Sequence, residues 1–229
     1  MAKTILIAGY GVGISAALAE KFGAEGFAVA LVARSSERTA AGVKALEAKG
    51  VRAAAFQADL ADPKSVAGVV KSVREKLGPI SVVEWTAYAG GAGDLLAADP
   101  AELRGVLDVA TVGLTAAVQA ALPDLRAEKG AVLVTNGGLG LPVPAVDAAG
   151  VQWNAMGLSI ANAAKHKLVR LLAEKLKPEG VYVGEVMVLS AVKGTPWDNG
   201  SSKLEASAIA AEFWRIYTGR SELSVQIGG

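Results

Sequence analysis

Seven short apolar runs alternate along this chain with segments of helical spacing, and that alternation most constrains what it can fold into. The runs are "TILIA" (4–8), "AVALVA" (28–33), "VRAAAFQA" (51–58), "ISVVEWTA" (80–87), "AVLVT" (131–135), "VYVGEVMVL" (181–189) and "LSVQI" (223–227). They are near-continuously apolar rather than alternating, as expected of strands buried on both faces. Helices are predicted between them over 15–22, 37–50, 62–78, about 100–128, about 156–177 and 204–217. Three carry terminal signals: Gly50 closes the second, and Asp62–Pro63 and Asp99–Pro100 open the third and fourth as N-cap and first helical residue. Strands alternating with amphipathic helices imply an α/β fold, a parallel sheet covered on both faces. Right-handed crossovers then make it doubly wound.

A length of 229 residues fits one domain spanning 1–229, and no linker interrupts it. Hydrophobic residues at 52% and charged residues at 20% exclude a disordered chain. Twenty-three Lys and Arg against 22 Asp and Glu leave a net charge of +1, with no electrostatic case for nucleic acid or an anionic membrane. The chain has no cysteine, so disulfides and thiolate metal sites are excluded, and no metal is expected. The apolar N-terminal stretch could imitate a signal peptide, but Gly9, Gly11 and Gly13 interrupt it, and strand, glycine turn and helix is the preferred reading. No other apolar run approaches the ~20 residues of a spanning helix. A cytoplasmic location is expected.

The first turn, "AGYGVGIS", follows a strand and opens a helix. Glycine lets the backbone turn tightly and approach a pyrophosphate, and the helix N-terminus favours negative charge. Arg34 and Ser35 come directly after the second strand. An acidic residue there would bind the ribose hydroxyls of NAD, whereas a cation can neutralise a 2′-phosphate, so NADP is expected over NAD.

These features together resemble the short-chain dehydrogenase/reductase family over nearly the whole length. The glycine turn is similar to the family's TGxxxGxG, with Ala8, Gly9 and Gly13 in register and Ser15 at the last glycine. "ADLAD" (58–62) looks like the DL motif on the adenine side, giving Asp59 and Leu60. "AYAGG" (87–91) looks like NNAG with both asparagines replaced. "LKPEGVYV" (176–183) and "VQIGG" (225–229) resemble the family's last third. The resemblance implies a Rossmann-type domain of about seven strands and a cofactor site of Gly9, Gly13, Ile14, Arg34, Ser35, Asp59, Leu60, Ala89, Gly90, Lys165 and Thr195. It also implies a small-molecule substrate and a homodimer or tetramer.

The same resemblance implies a catalytic Asn, Ser, Tyr and Lys, of which only Lys165 is present. "DVATVG" (108–113) puts Ala110 where Asn is expected. "GAVLVTNGGLG" (130–140) puts Gly137, or Gly138, at the Ser, and "ANAAK" (161–165) puts Ala161 at the Tyr. Alanine cannot donate a proton, and a general acid is worth ~10²–10⁴ in rate. Substitutes are Tyr88 after the fourth strand, Asn136 beside the missing Ser, and Asp147 in the long segment 141–159, where Trp153 and Met156 read as wall. His166, about 100° around the helix from Lys165, reads as peripheral. Trp197, Asp198 and Asn199 read as a mobile lid or as an ordinary polar loop.

The expectation is an atypical NADP-dependent oxidoreductase moving hydride to or from a small carbonyl, enone or imine without the usual Tyr. The alternatives are an NADP(H)-binding protein without turnover, serving as sensor or structural partner, and a non-redox lyase or isomerase.

Overall fold

The computed structural model describes residues 3–229; Met1 and Ala2 lie outside the described residues. The strands are β1 (Thr4–Ala8), β2 (Ala28–Ala33), β3 (Ala53–Gln57), β4 (Ile80–Trp85), β5 (Ala131–Gly137), β6 (Tyr182–Val188) and β7 (Ser224–Ile227). They form one parallel sheet in the order β3-β2-β1-β4-β5-β6-β7. The order reverses between β1 and β4, and ligands of such sheets bind outside the carboxyl ends of the strands at that switch point.

The helices are α1 (Ile14–Ala24), α2 (Ser36–Glu47), α3 (Pro63–Leu77), α4 (Pro100–Leu107), α5 (Leu114–Ala127), α6 (Pro144–Gln152), α7 (Met156–Leu176) and α8 (Ala206–Gly219). Period-2 alternation sends Leu6 and Ala8 of β1 to one face and Ile5 and Ile7 to the other. On the first face they meet Val66, Val70 and Val73 of α3, Leu114 and Leu125 of α5, and Val169 of α7. On the second they meet Leu18 and Phe22 of α1, Leu46 of α2 and Ile209 and Phe213 of α8. Burial on both sides is why these strands read as unbroken apolar runs.

The capping signals act as expected. Asp62 accepts from the N–H groups of Lys64 and Ser65 at 3.0 and 3.3 Å, and Asp99 from Ala101 at 2.8 Å. The second helix ends at Glu47, three residues before Gly50, whose φ of 76° serves the turn that follows.

Three expectations change. The helix expected over 100–128 contains a π-helical segment, Asp108–Gly113, in which Ala110 and Gly113 are buried. Gly113 is required there, because a Cβ would lie 2.0 Å from the Leu60 carbonyl oxygen. By length and composition Pro100–Ala127 could also cross a membrane, contrary to the expectation that no second run comes close. Its apolar residues Leu114, Ala117, Ala121 and Leu125 instead belong to the core beneath β4 and α3. Finally, 144–152 is helical where no element was expected. Only Gly150 of α6 is buried, so the segment lacks the amphipathic pattern that betrays a helix in sequence.

Candidate active site

The glycine turn sits at the carboxyl end of β1, held by β2: the N–H groups of Gly9 and Tyr10 both donate to the Val32 carbonyl, at 3.0 and 2.9 Å. Gly9 has φ 91°, and a Cβ on it would lie 2.6 Å from the Ala87 backbone at the end of β4. Gly13 has φ 89°, and a Cβ there would meet the Thr195 methyl at 2.7 Å. Ser15 closes the loop, accepting from the Gly11 N–H at 2.8 Å and donating to the Gly11 carbonyl at 3.0 Å. Among the described residues no side chain caps α1 at its N-cap, Gly13, which leaves the first backbone N–H groups of the helix without a side-chain acceptor.

Beside this turn Arg34, Gln57, Ala58, Asp59 and Ser65 line a cavity of about 350 Å³. Ser35 caps α2 through the Arg38 N–H at 3.3 Å. The Arg38 guanidinium reaches back to the glycine turn, 3.7 Å from where a Gly11 Cβ would stand. Sequence reasoning missed Arg38; its signal was a second cation one helical turn after Arg34. Asp59 spends one carboxylate oxygen on the Ala61 N–H at 3.0 Å, and Leu60 is buried. Ala89 and Gly90 follow β4, Gly90 in the open and Ala89 against the apolar group described next.

On the other side of the switch point the structure brings together the three positions where side chains are missing. Ala110 and Ala161, each 2% exposed, pack with Val106 and Ala89. Gly137 ends β5 facing α7, where a Cβ would lie 2.7 Å from Asn162 Nδ2, whereas Gly138 faces Leu189. Lys165 stands one turn beyond Ala161, is 3% exposed and makes no hydrogen bond among the described residues. Burial pushes its pKa down to about 8, against the opposing pull of the Glu185 and Glu84 charges.

Those two carboxylates are fully buried and were not anticipated. Glu84 accepts from the hydroxyls of Thr86 at 2.5 Å and Thr135 at 2.9 Å. Burial pushes its pKa up to about 7, although the two hydroxyls and Lys165 work in the opposite direction. Glu185 accepts from Asn136 at 2.7 Å and Ser224 at 2.7 Å, and lies 2.6 Å from His166 Nδ1. His166 is therefore not peripheral: it turns away from the Lys165 face, but β6 meets it there. A lone Glu inside a strand carries no periodic mark, so both acids escaped the sequence reading.

The Glu84 shift has a measurable consequence. Unfolded, Glu84 titrates near 4.5; folded, near 7, so the folded state holds its proton more tightly. The associated stability is complete below about 4.5 and is lost as pH rises through about 7. Wild type is expected to lose on the order of 2–3 kcal/mol relative to E84Q across that interval. Denaturant titrations of both proteins over the pH range test this, and a constant difference would refute it.

The proposed substitutes are scattered. Asn136 donates its amide protons to Glu185 and to the Asn162 carbonyl at 3.0 Å, and accepts from the Gly137 N–H, leaving no donor for a substrate. That corrects the expectation for Asn136. Asp147 is exposed on the first turn of α6, its side chain without a hydrogen-bond partner among the described residues. Tyr88 is 51% exposed and accepts from Trp197 Nε1 at 3.3 Å. Thr195 donates to the Val192 carbonyl at 2.7 Å while its methyl covers Gly13. Asp198 accepts from the N–H groups of Gly194, Gly200 and Ser202, which hold its pKa far below the usual carboxylate range. It organises its own loop. Asn199 likewise accepts from Ser201.

Comparison with known proteins agrees with the fold. The short chain dehydrogenase family profile matches residues 3–203. Meso-2,3-butanediol dehydrogenase of Serratia marcescens is 31% identical over 184 residues, 80% of this chain and 69% of the relative. A 3-oxoacyl-(acyl-carrier-protein) reductase of Staphylococcus aureus is 32% identical over 135 residues, 58% of this chain and 55% of that protein, so the match spans about half of it. Among solved structures, L-sorbose reductase from Gluconobacter frateurii, complexed with NADPH and L-sorbose, superposes with a TM-score of 0.87 at 19% identity, covering 100% of this chain and 95% of its own. An alcohol dehydrogenase from the archaeon Thermococcus sibiricus, complexed with 5-hydroxy-NADP, gives 0.84 at 23%, covering 99% and 96%. With its sheet order, its glycine turn at the switch point and this profile match, the chain belongs to the short chain dehydrogenase family, a family of oxidoreductases.

Proposed function

We propose that this protein is an NADP-dependent oxidoreductase that moves hydride to or from a small carbonyl, enone or imine without a tyrosine acid. The observation that carries the reading is Lys165: a buried ammonium with no hydrogen-bond partner among the described residues, on the helix facing the glycine turn's end of the sheet. Such a group suits a polar ligand, since its N–H donors have no acceptor among the described residues and only the charges of Glu185 and Glu84 offset its burial. Gly9, Gly13 and the uncapped α1 N-terminus at Ile14 fit the pyrophosphate. Asp59 and Leu60 flank the adenine, and Arg34 and Ser35, with Arg38, fit a 2′-phosphate. Ala89, Gly90 and Thr195 line the nicotinamide half, where Lys165 holds the ribose. When bound, the nicotinamide supplies or accepts the hydride.

The methyls of Ala89, Ala110 and Ala161 offer no proton, which favours substrates that need little acid assistance, conjugated or already cationic double bonds among them. Tyr88 and Trp197, exposed and hydrogen-bonded to each other, are the aromatic groups available for substrate contact. A homo-oligomer and a cytoplasmic location belong to the same reading, with the family likeness as their support.

NADPH oxidation across a carbonyl, enone and imine panel tests this function, with melting curves in NADP(H) and NAD(H) alongside. Turnover is expected with NADPH. Thermal stabilisation by NADPH without turnover on any member would instead support the nucleotide-binding reading, which the missing side chains at 110, 137 and 161 favour. Product formation with no change in nicotinamide absorbance would support a lyase or isomerase. Cofactor choice gives a sharper prediction. Charge-assisted contacts to phosphate are worth about 1.5–3 kcal/mol each. R34A/R38A is therefore expected to weaken NADPH binding by roughly tenfold or more. NADH binding should be unchanged. Equal losses for both nucleotides in titration calorimetry would remove the 2′-phosphate assignment.

A further inference from the structure

The missing serine and tyrosine leave an oxygen-binding problem, and helix α7 carries two groups able to solve it. Asn162 is 5% exposed, and its side-chain amide makes no hydrogen bond among the described residues. Its backbone carbonyl accepts from Asn136, which holds that turn of the helix in place. The amide nitrogen stands 2.7 Å from the position of a Cβ on Gly137, with the amide carbon at 3.6 Å and the amide oxygen at 3.9 Å. The donor end of the amide therefore occupies the space that a serine side chain at 137 would enter. Lys165 lies three residues on, so the two share one face of α7. Each side chain is almost wholly buried, while its donor end makes no hydrogen bond among the described residues and still reaches solvent. Each borders a position where a family side chain is absent, Gly137 for Asn162 and Ala161 for Lys165.

We propose that Asn162 and Lys165 together replace the absent side chains: the Asn162 amide donates a hydrogen bond to the reacting oxygen in the role of the serine, and the Lys165 ammonium supplies the proton in the role of the tyrosine. This rests on the oxidoreductase reading above. In the reducing direction the carbonyl carbon gains a hydride from the reduced nicotinamide, which is thereby oxidised. The carbonyl oxygen gains a proton from Lys165 Nζ, giving an alcohol and a neutral amine, and solvent returns the proton. An ammonium has three N–H donors, so holding a ribose leaves one for the substrate.

Two titratable groups face this pair: Glu84 from β4 and Glu185 from β6, both with charges that favour protonated Lys165; His166, turned to another face of α7, is engaged by Glu185. A buried acid with a pKa of about 8 stays mostly protonated near neutral pH and still gives its proton up readily.

Steady-state kinetics of the full chain with NADPH test the proposal, using the best substrate from the panel. Removing an oxyanion donor costs about 10²–10³ in kcat, and N162A is expected to lose that much. Its NADPH affinity and melting temperature should not change, because the amide has no partner in the fold to lose. G137S alone is expected to lose activity, because the new side chain collides with Asn162. G137S in the N162A background removes the collision and restores a hydroxyl, and should recover at least about tenfold of the N162A loss. E84Q removes a negative charge near Lys165, so the alkaline limb of kcat/KM should move to lower pH. E84Q is a gentle change, because the Thr86 and Thr135 hydroxyls can turn to suit an amide. Activity of N162A close to wild type, a double variant no better than N162A, or an alkaline limb unmoved in E84Q would each overturn the proposal while leaving the oxidoreductase reading intact. NADPH binding with no turnover on any substrate would overturn both.

Discussion

K165M is expected to lower kcat/KM by about 10²–10⁴ and to weaken NADPH binding in the same variant. Methionine is unbranched, similar in length and nearly equal in helix propensity, so α7 should form as before. What disappears is the group that favours ionised Glu84 and whose own charged form Glu84 and Glu185 favour. Without it Glu84 becomes still harder to ionise and stays protonated at neutral pH. The variant should therefore fold at neutral pH and lose stability mainly on the alkaline side, where Glu84 must charge without its neighbour. Fluorescence titration with NADPH, single-turnover kinetics and melting curves over pH separate these effects. K165R keeps the charge but swaps a compact ammonium for a broad planar group, and should retain nucleotide binding better than turnover. K165M activity within about tenfold of wild type would show that the lysine is not at the reacting centre.

The second large effect concerns folding and cofactor binding together. G9A is expected to destabilise the protein by about 2–4 kcal/mol and to abolish nucleotide binding. At φ 91° an alanine is strained before any contact is considered. Its Cβ would also lie 2.6 Å from both the Cα and the backbone nitrogen of Ala87, and 2.9 Å from its Cβ. Backbone cannot step aside as a flexible side chain does, so either the glycine turn or the end of β4 must move. Both line the switch point, so binding should fail with stability. G90A is the control: nothing lies within 4 Å of its Cβ and its φ is not positive, so stability should stay within about 0.5 kcal/mol of wild type. Denaturant unfolding with calorimetric titration of NADPH decides the matter. A G9A protein as stable as G90A would mean that the close approach to Ala87 is not real.

Local signals carried most of the fold. Asp62–Pro63 and Asp99–Pro100 start α3 and α4 because a carboxylate and a ring-fixed φ act over two or three residues, whatever packs nearby. The mainly apolar runs became the strands, since burial on both faces favours that composition, with Glu84 and Glu185 as buried exceptions. The glycine turn was legible because its chemistry is contiguous. Where a reading failed, the cause was distant in sequence. The π-helical turn at Asp108–Gly113 answers to packing against Leu60, and α6 lies on the surface with no stripe to reveal it.

The candidate site divides in the same way. From sequence alone come the α/β class, the nucleotide end with its arginine after β2, and the absence of protonic side chains at 110, 137 and 161, because these depend on residue identity within short motifs. Only the tertiary structure joined Glu84, Asn162, Lys165, His166 and Glu185, which come from two strands and one helix. It also turned Asn136 inward and left Asp147 on the surface. The physical reason is that a side chain's role at such a site depends on which polar groups remain unpaired once the core has closed. That pairing is settled between β4, β5, β6 and α7, which adjoin in the fold although long stretches of chain separate β4 from β5 and β5 from β6.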